Sequence, residues 1–174
     1  PIVRRLVSIS LSDETSQTRF IGWNAAWHGF LEDPLTGVGM ENYNVVFNKY
    51  FQARYYSFAP TETYFDRAHN QYFNILSESG IIALLIYLGL PGLIIYYLTQ
   101  GYRRRIFGFN EVAIFAGIGA AYFIHLFFVF DEVNTLLMFT AYLAWLDYLF
   151  NGHPIVAVTA VNHSARGRGW YMLA

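Results

Sequence analysis

The chain has 174 residues, of which 55% are apolar, 20% aromatic and only 13% charged, a balance too apolar for an ordinary soluble domain of this length. A net charge of −1 gives no general attraction to nucleic acid, and the absence of cysteine excludes disulfides and thiolate metal sites. The class that remains is an all-α integral membrane protein.

The chain opens on Pro1-Ile2-Val3-Arg4-Arg5, with no initiator Met and no short apolar core ahead of a cleavage site. It is therefore expected to be a fragment of a larger polytopic bundle, with further spans upstream. Ser12-Asp13-Glu14-Thr15 offers helix caps, and Phe20, Trp23, Trp27, Phe30 and Leu31 then recur at helical spacing. This predicts an amphipathic helix over about 16–32, its aromatic stripe lying either along the bilayer interface or against another part of the protein. Asp33-Pro34-Leu35-Thr36-Gly37-Val38-Gly39 ends that helix, and a Tyr-rich, mostly irregular stretch is expected to about residue 63. A loop of that length is usually functional or mobile. Asp66 is then expected to cap a helix whose first turn holds Arg67 and His69 and which continues through Tyr72, Phe73 and Leu76.

From Ser79 to Tyr102 there is no charge, from Val112 to Phe130 none, and from Val133 to Phe150 only Asp147. Each run approaches or exceeds the ~20 residues that cross a bilayer, so three transmembrane helices are predicted, at about 81–101, 112–130 and 133–150. Gly89-Leu90-Pro91-Gly92 predicts a kink in the first, and Gly117, Gly119, Ala120 and Ala121 a close helix contact on the second. His125 falls mid-span, where it is expected to be buried and bonded to a neighbouring helix. Arg103-Arg104-Arg105, preceded by Tyr96, Tyr97 and Tyr102, reads as a cytoplasmic basic anchor. That orientation makes residues 1–80 a large extracytoplasmic loop and places Asp131 and Glu132 in a short solvated outer turn. The tail, 151–174, with Arg166 and Arg168, is then cytoplasmic, its segment 155–161 either a short strand or disordered.

Cationic and imidazole groups ahead of a membrane span carry the chemical reading. A helix N-terminus presents free N–H groups, and an adjacent guanidinium adds a planar donor fork, so Arg67 there suits a pyrophosphate. His69 is either a base for a sugar hydroxyl or a hydrogen-bonding residue of the loop. Arg67 alternatively pairs with Asp66 or Glu62, and Arg19 reaches a lipid headgroup, a carboxylate or the same phosphate as Arg67. The histidines His28, His69, His125, His153 and His163 show no paired ligand spacing, so no metal site is expected. Walker, nucleophile-elbow and dinucleotide motifs are missing from the sequence, as is an Asp-x-Asp pair.

An ordered series of short motifs resembles the C-terminal half of the O-antigen ligase and O-antigen polymerase family of bacterial membrane glycosyltransferases. It consists of Arg19 with Trp23, then Pro34-x-x-Gly37-x-Gly39 with Asn42-Tyr43, then Ala68-His69-Asn70-Gln71-Tyr72, then Glu78-x-Gly80, with Phe130-Asp131 before the last span. The resemblance implies transfer of a glycan from an undecaprenyl-pyrophosphate-linked donor to a hydroxyl of a glycan, lipid A core or protein acceptor, with no metal or other cofactor. It implies His69 as the acceptor-activating base, Arg19 as a ligand of the donor pyrophosphate and Arg67 as a helper. The place implied is the bacterial inner (plasma) membrane, multi-pass, with the 1–80 loop facing the periplasm or exterior. The competing expectation is a non-catalytic scaffold or translocation component of an envelope polysaccharide pathway.

Overall fold

The computed structural model describes residues 13–62 and 64–152, so the tail beyond 152, with its expected 155–161 segment, lies outside the described residues. Five α-helices follow in order: α1 (Glu14–Glu32), α2 (Tyr43–Lys49), α3 (Gln71–Arg103), α4 (Phe109–His125) and α5 (Val133–Asn151), with a 3-10 turn (Ala53–Ser57) between α2 and α3. No strand occurs among the described residues. Asp13 caps α1 by accepting from the Ser16 amide at 2.8 Å.

The buried face of α1 is Ile21, Gly22, Ala25, Ala26 and Gly29, not the aromatic stripe. Small side chains on this face admit α2 closely. The Tyr43 hydroxyl donates to the Gly22 carbonyl at 2.7 Å, and a Cβ added to Gly29 would stand 2.4 Å from a Val46 methyl. The aromatics divide, Trp23 stacking on Phe73 with ring centroids 5.6 Å apart while Trp27 and Leu31 stay exposed. The Tyr-rich stretch is more ordered than expected, because α2 and the 3-10 turn bury Tyr43, Phe47 and Tyr55 with Phe65 and Ala68 against α1. Burial, with the Glu62 carboxylate 2.6 Å from its hydroxyl, pushes the Tyr55 phenol well above its ordinary pKa.

The expected kink at Pro91 is found instead at Gly80, whose backbone (φ 74°, ψ −174°) breaks α3 into two pieces. A helix breaks cheaply only where its freed backbone groups find other partners. At Gly80 the preceding loop supplies them: Val38 and Gly39 donate to the Ser77 and Glu78 carbonyls at 3.0 and 2.9 Å, and Ile81 donates to the Pro34 carbonyl at 2.8 Å. The approach is so close that a Cβ on Gly37 would lie 2.4 Å from the Glu78 backbone, and one on Gly80 2.3 Å from the Leu35 carbonyl oxygen. Around Gly89 and Gly92 there is open space, and the backbone between them keeps helical angles.

Two helices, α3 and α5, are long and apolar enough to cross a membrane. The third expected span is shorter: α4 has 17 residues, about 26 Å of rise against the ~30 Å hydrocarbon core. It stops at His125, rather than running to Phe130, because the chain turns there and Gln71 donates to the Leu126 and Val129 carbonyls at 2.9 and 3.1 Å. His125 accordingly sits exposed in the last turn of α4, not buried mid-span. Ile94, Leu98, Phe115, Phe139, Tyr142 and Leu146 form the core shared by α3, α4 and α5. The opposite faces are apolar yet uncovered, with Ile86 and Met138 73% and 76% exposed, which suits lipid or further helices rather than water.

Gly80→Ala, or Gly37→Ala, should lower the stability of the detergent-solubilised protein by about 2 kcal/mol or more, from strain at positive φ and the clash. Gly89→Ala should leave the melting profile unchanged, and equal effects of all three would refute this account.

Candidate functional site

The helix after the His motif begins at Gln71, capped by Asn70 and not by Asp66. The Asn70 side chain accepts from the Tyr72 and Phe73 amides at 3.0 and 3.2 Å and donates to the Phe127 carbonyl at 3.1 Å. Arg67 and His69 therefore lie in the approach to the helix, outside its first turn. Each neighbour in the motif has a stitching role. The Ala68 amide donates to Asn74, the Gln71 side chain accepts from the Asp131 amide at 3.0 Å, and the Tyr72 hydroxyl donates to the Phe123 carbonyl at 2.9 Å. Asp131 is not a solvated turn residue: its carboxylate accepts from Tyr122 at 2.6 Å and Tyr87 at 3.2 Å, joining the three long helices away from the His69 cleft.

Behind the motif, Glu78 is buried and links α2 to the start of α3. One carboxylate oxygen accepts from the Tyr43 amide at 3.2 Å, the other from Asn74 at 2.9 Å, and Asn74 in turn holds the Ala68 amide beside His69.

His69 stands out from its neighbours. It holds a left-handed backbone (φ 50°), which a non-glycine residue adopts at some energetic cost. Its ring stacks on Phe65 at 4.9 Å and meets the edge of Phe130 at 5.7 Å. Its Nδ1 lies 3.2 Å from the Arg67 carbonyl oxygen. A carbonyl only accepts, so in the neutral ring Nδ1 carries the proton and Nε2 keeps the free lone pair.

His69 and Arg19 line one cleft of about 260 Å³, with Thr15 and Thr18 on the α1 side, Phe65 at its base and Glu14 and Glu62 on its rim. Arg19 comes without a matched carboxylate: the ion pairs among the described residues are Lys49–Glu32 and Arg67–Glu41. Its Nε is shielded from solvent and meets no acceptor among the described residues, as is true of the Trp23 indole N–H one turn on. A buried donor without an acceptor calls for an explanation, and a bound ligand supplies one.

Arg67 is not among the residues lining this cleft. Its Nη2 donates to both carboxylate oxygens of Glu41, at 2.8 and 2.7 Å, and the guanidinium lies over the Phe130 ring at 5.5 Å. Neither Asp66 nor Glu62 is the partner, and no local spacing could announce Glu41. The cleft residues that motif reading passed over, Thr15 and Thr18, share a helical face with Arg19, a signal available from i, i+3, i+4 spacing alone. No group of three His, Asp or Glu side chains among the described residues is arranged to hold a metal ion.

The family model for O-antigen ligase matches residues 2–88, which carry α1, the Pro34–Gly39 loop, the His69 motif and the first part of α3. The chain belongs to the O-antigen ligase family. No curated protein and no solved structure matches it. The family stands for ligase- and polymerase-type glycosyl transfer in lipopolysaccharide biosynthesis, with a lipid-linked glycan and an acceptor as partners, and the two apolar helices agree with its membrane setting.

Asn70→Ala removes the cap and the bond to Phe127, and should cost about 1–2 kcal/mol in thermal or denaturant unfolding. Asn70→Asp keeps the cap and should fall between alanine and the parent. An alanine variant as stable as the parent would show that the Asn70 bonds do not hold the motif.

Proposed function

We propose that this protein transfers a glycan from an undecaprenyl-pyrophosphate-linked donor to an acceptor hydroxyl, without a metal, and that the cleft between α1 and the His69 loop is where it does so. The observation that supports this most is the pairing of a fixed imidazole with an unmatched guanidinium on one cleft. In this reading Nε2 of His69 takes the proton of the incoming hydroxyl as its oxygen attacks the anomeric carbon, and the sugar–phosphate bond breaks with the electron pair leaving on the pyrophosphate. Arg19 stabilises the charge that develops on the leaving phosphate, and its buried Nε is the natural donor. Thr15, Thr18, Glu14 and Glu62 then offer acceptors and donors for sugar hydroxyls, while their two carboxylates limit how much anionic charge the cleft takes by itself.

Arg67, the expected helper, supports the reaction by holding its own loop: paired to Glu41, it presents its carbonyl to His69 Nδ1 and so sets the tautomer. The orientation of this reading has the outer segment on the periplasmic face of the inner membrane, where the Arg103–Arg105 turn is cytoplasmic.

The test uses full-length protein in membranes supplied with lipid-linked glycan donor and acceptor. His69→Ala should reduce transfer by ~10²- to 10⁴-fold with donor binding largely kept. Arg19→Gln should weaken donor use more than it changes the acceptor dependence. Transfer at the parental rate in His69→Ala would overturn the base assignment, and a double His69/Arg19 variant that leaves transfer intact would favour a scaffold.

A further inference from the structure

At the end of α3 far from the His69 cleft stand Arg103, Arg104 and Arg105, three guanidinium groups in succession. Their countercharge does not come from the chain's own carboxylates. All 12 Asp and Glu side chains lie among the described residues, and the ion pairs there join Lys49 to Glu32 and Arg67 to Glu41. Glu111, the nearest carboxylate in sequence, accepts from the Gly108 amide at 2.7 Å as the cap of α4, and Asp147, in the last turns of α5, accepts from Tyr97 and Asn151.

The turn that carries these arginines is well fixed. Arg105 closes it in a left-handed conformation (φ 59°), and the Ile106 and Phe107 amides donate to the Gly101 carbonyl at 2.9 and 3.2 Å. Phe107 packs so tightly on Gly101 that a Cβ there would stand 2.2 Å from its ring. Arg103 and Arg105 consequently share a hollow of about 500 Å³ with Tyr102, Phe107 and Gly108. Arg104 is turned aside, over the Phe150 ring at 5.3 Å. Beside the hollow the surface is apolar, with Tyr102 54% and Phe109 73% exposed.

We infer that this turn binds the headgroup of an anionic phospholipid, Arg103 and Arg105 holding the phosphodiester oxygens while the acyl chains run along Tyr102 and Phe109. A guanidinium fork matches phosphate oxygens geometrically, and an apolar rim at the end of a spanning-length helix meets the acyl chains that a soluble anion lacks. The inference concerns the opposite end of α3 from the proposed reaction site and stands independently of it.

Full-length protein in detergent, titrated with phosphatidylglycerol, phosphatidylcholine or inorganic phosphate and read by native mass spectrometry, tests this. The parent should retain phosphatidylglycerol in preference to phosphatidylcholine, and Arg103→Gln/Arg105→Gln should lower that retention roughly tenfold while Arg54→Gln, an exposed arginine elsewhere, leaves it unchanged. Equal retention of the two lipids, or undiminished phosphatidylglycerol binding in the double variant, would overturn the proposal. Displacement of phosphatidylglycerol by an equal concentration of inorganic phosphate would overturn its lipid part and leave a simple anion site. If the double variant does not fold, Arg105→Gln alone carries the same comparison with a smaller expected loss.

Discussion

The backbone pairing between the Pro34–Gly39 loop and the break in α3 at Gly80 is the constraint on which the segment before that break depends. Three amide–carbonyl bonds cross between them and take up backbone groups that the bend would otherwise free. Because the loop leads directly out of α1, the bond set also fixes how α1 meets α3. Glu78, two residues before the bend, is thereby drawn under the Tyr43 amide and within reach of Asn74. Asn74 holds the Ala68 amide, and the next residue is His69. A single break in one helix thus propagates through named bonds to the imidazole.

This explains why motifs that look independent in the sequence travel together. Pro34-x-x-Gly37-x-Gly39 and Glu78-x-Gly80 are two halves of one contact, Gly37 and Gly80 each placed where a Cβ would strike the other half, and the Gly39 amide bonded to the Glu78 carbonyl. Asn70, Gln71 and Tyr72 tie the start of α3 to the turn after α4, and Asp131 closes that turn onto Tyr87 and Tyr122. Most of the Ala68–Tyr72 motif is therefore architecture, and His69 is the member that lines the cleft shared with Arg19.

What the sequence made legible follows the range of the forces involved. The α1 helix, the apolar runs of α3 and α5, and the motif set are local signals of period, hydropathy and residue order, and they survive in the structure with α1 beginning two residues before its expected start. Three differences arise from distant backbone partners. The bend moved from Pro91 to Gly80 because a loop some 40 residues earlier supplies its bonds, and α4 ended at His125 because Gln71 captures the following carbonyls. The start of α3 shifted from Asp66 to Asn70 because Asn70 also finds Phe127. The small-residue face of α1 was not legible for another reason: side-chain size marks what is apolar, while close helix approach selects Gly and Ala.

Two non-glycine residues ahead of α3 hold left-handed backbones, Glu41 at φ 63° and His69 at φ 50°, and Arg67 joins them. Its guanidinium takes the Glu41 carboxylate while its carbonyl faces His69 Nδ1. Such conformations persist only where surrounding contacts over-determine them, and here Phe65 and Phe130 add two aromatic faces to the hydrogen bonds. If His69 served packing alone, an ordinary backbone with the same ring stacked on Phe65 would do so without the cost. In the function we propose, lining a cleft that also contains Arg19 is the use that this strain serves.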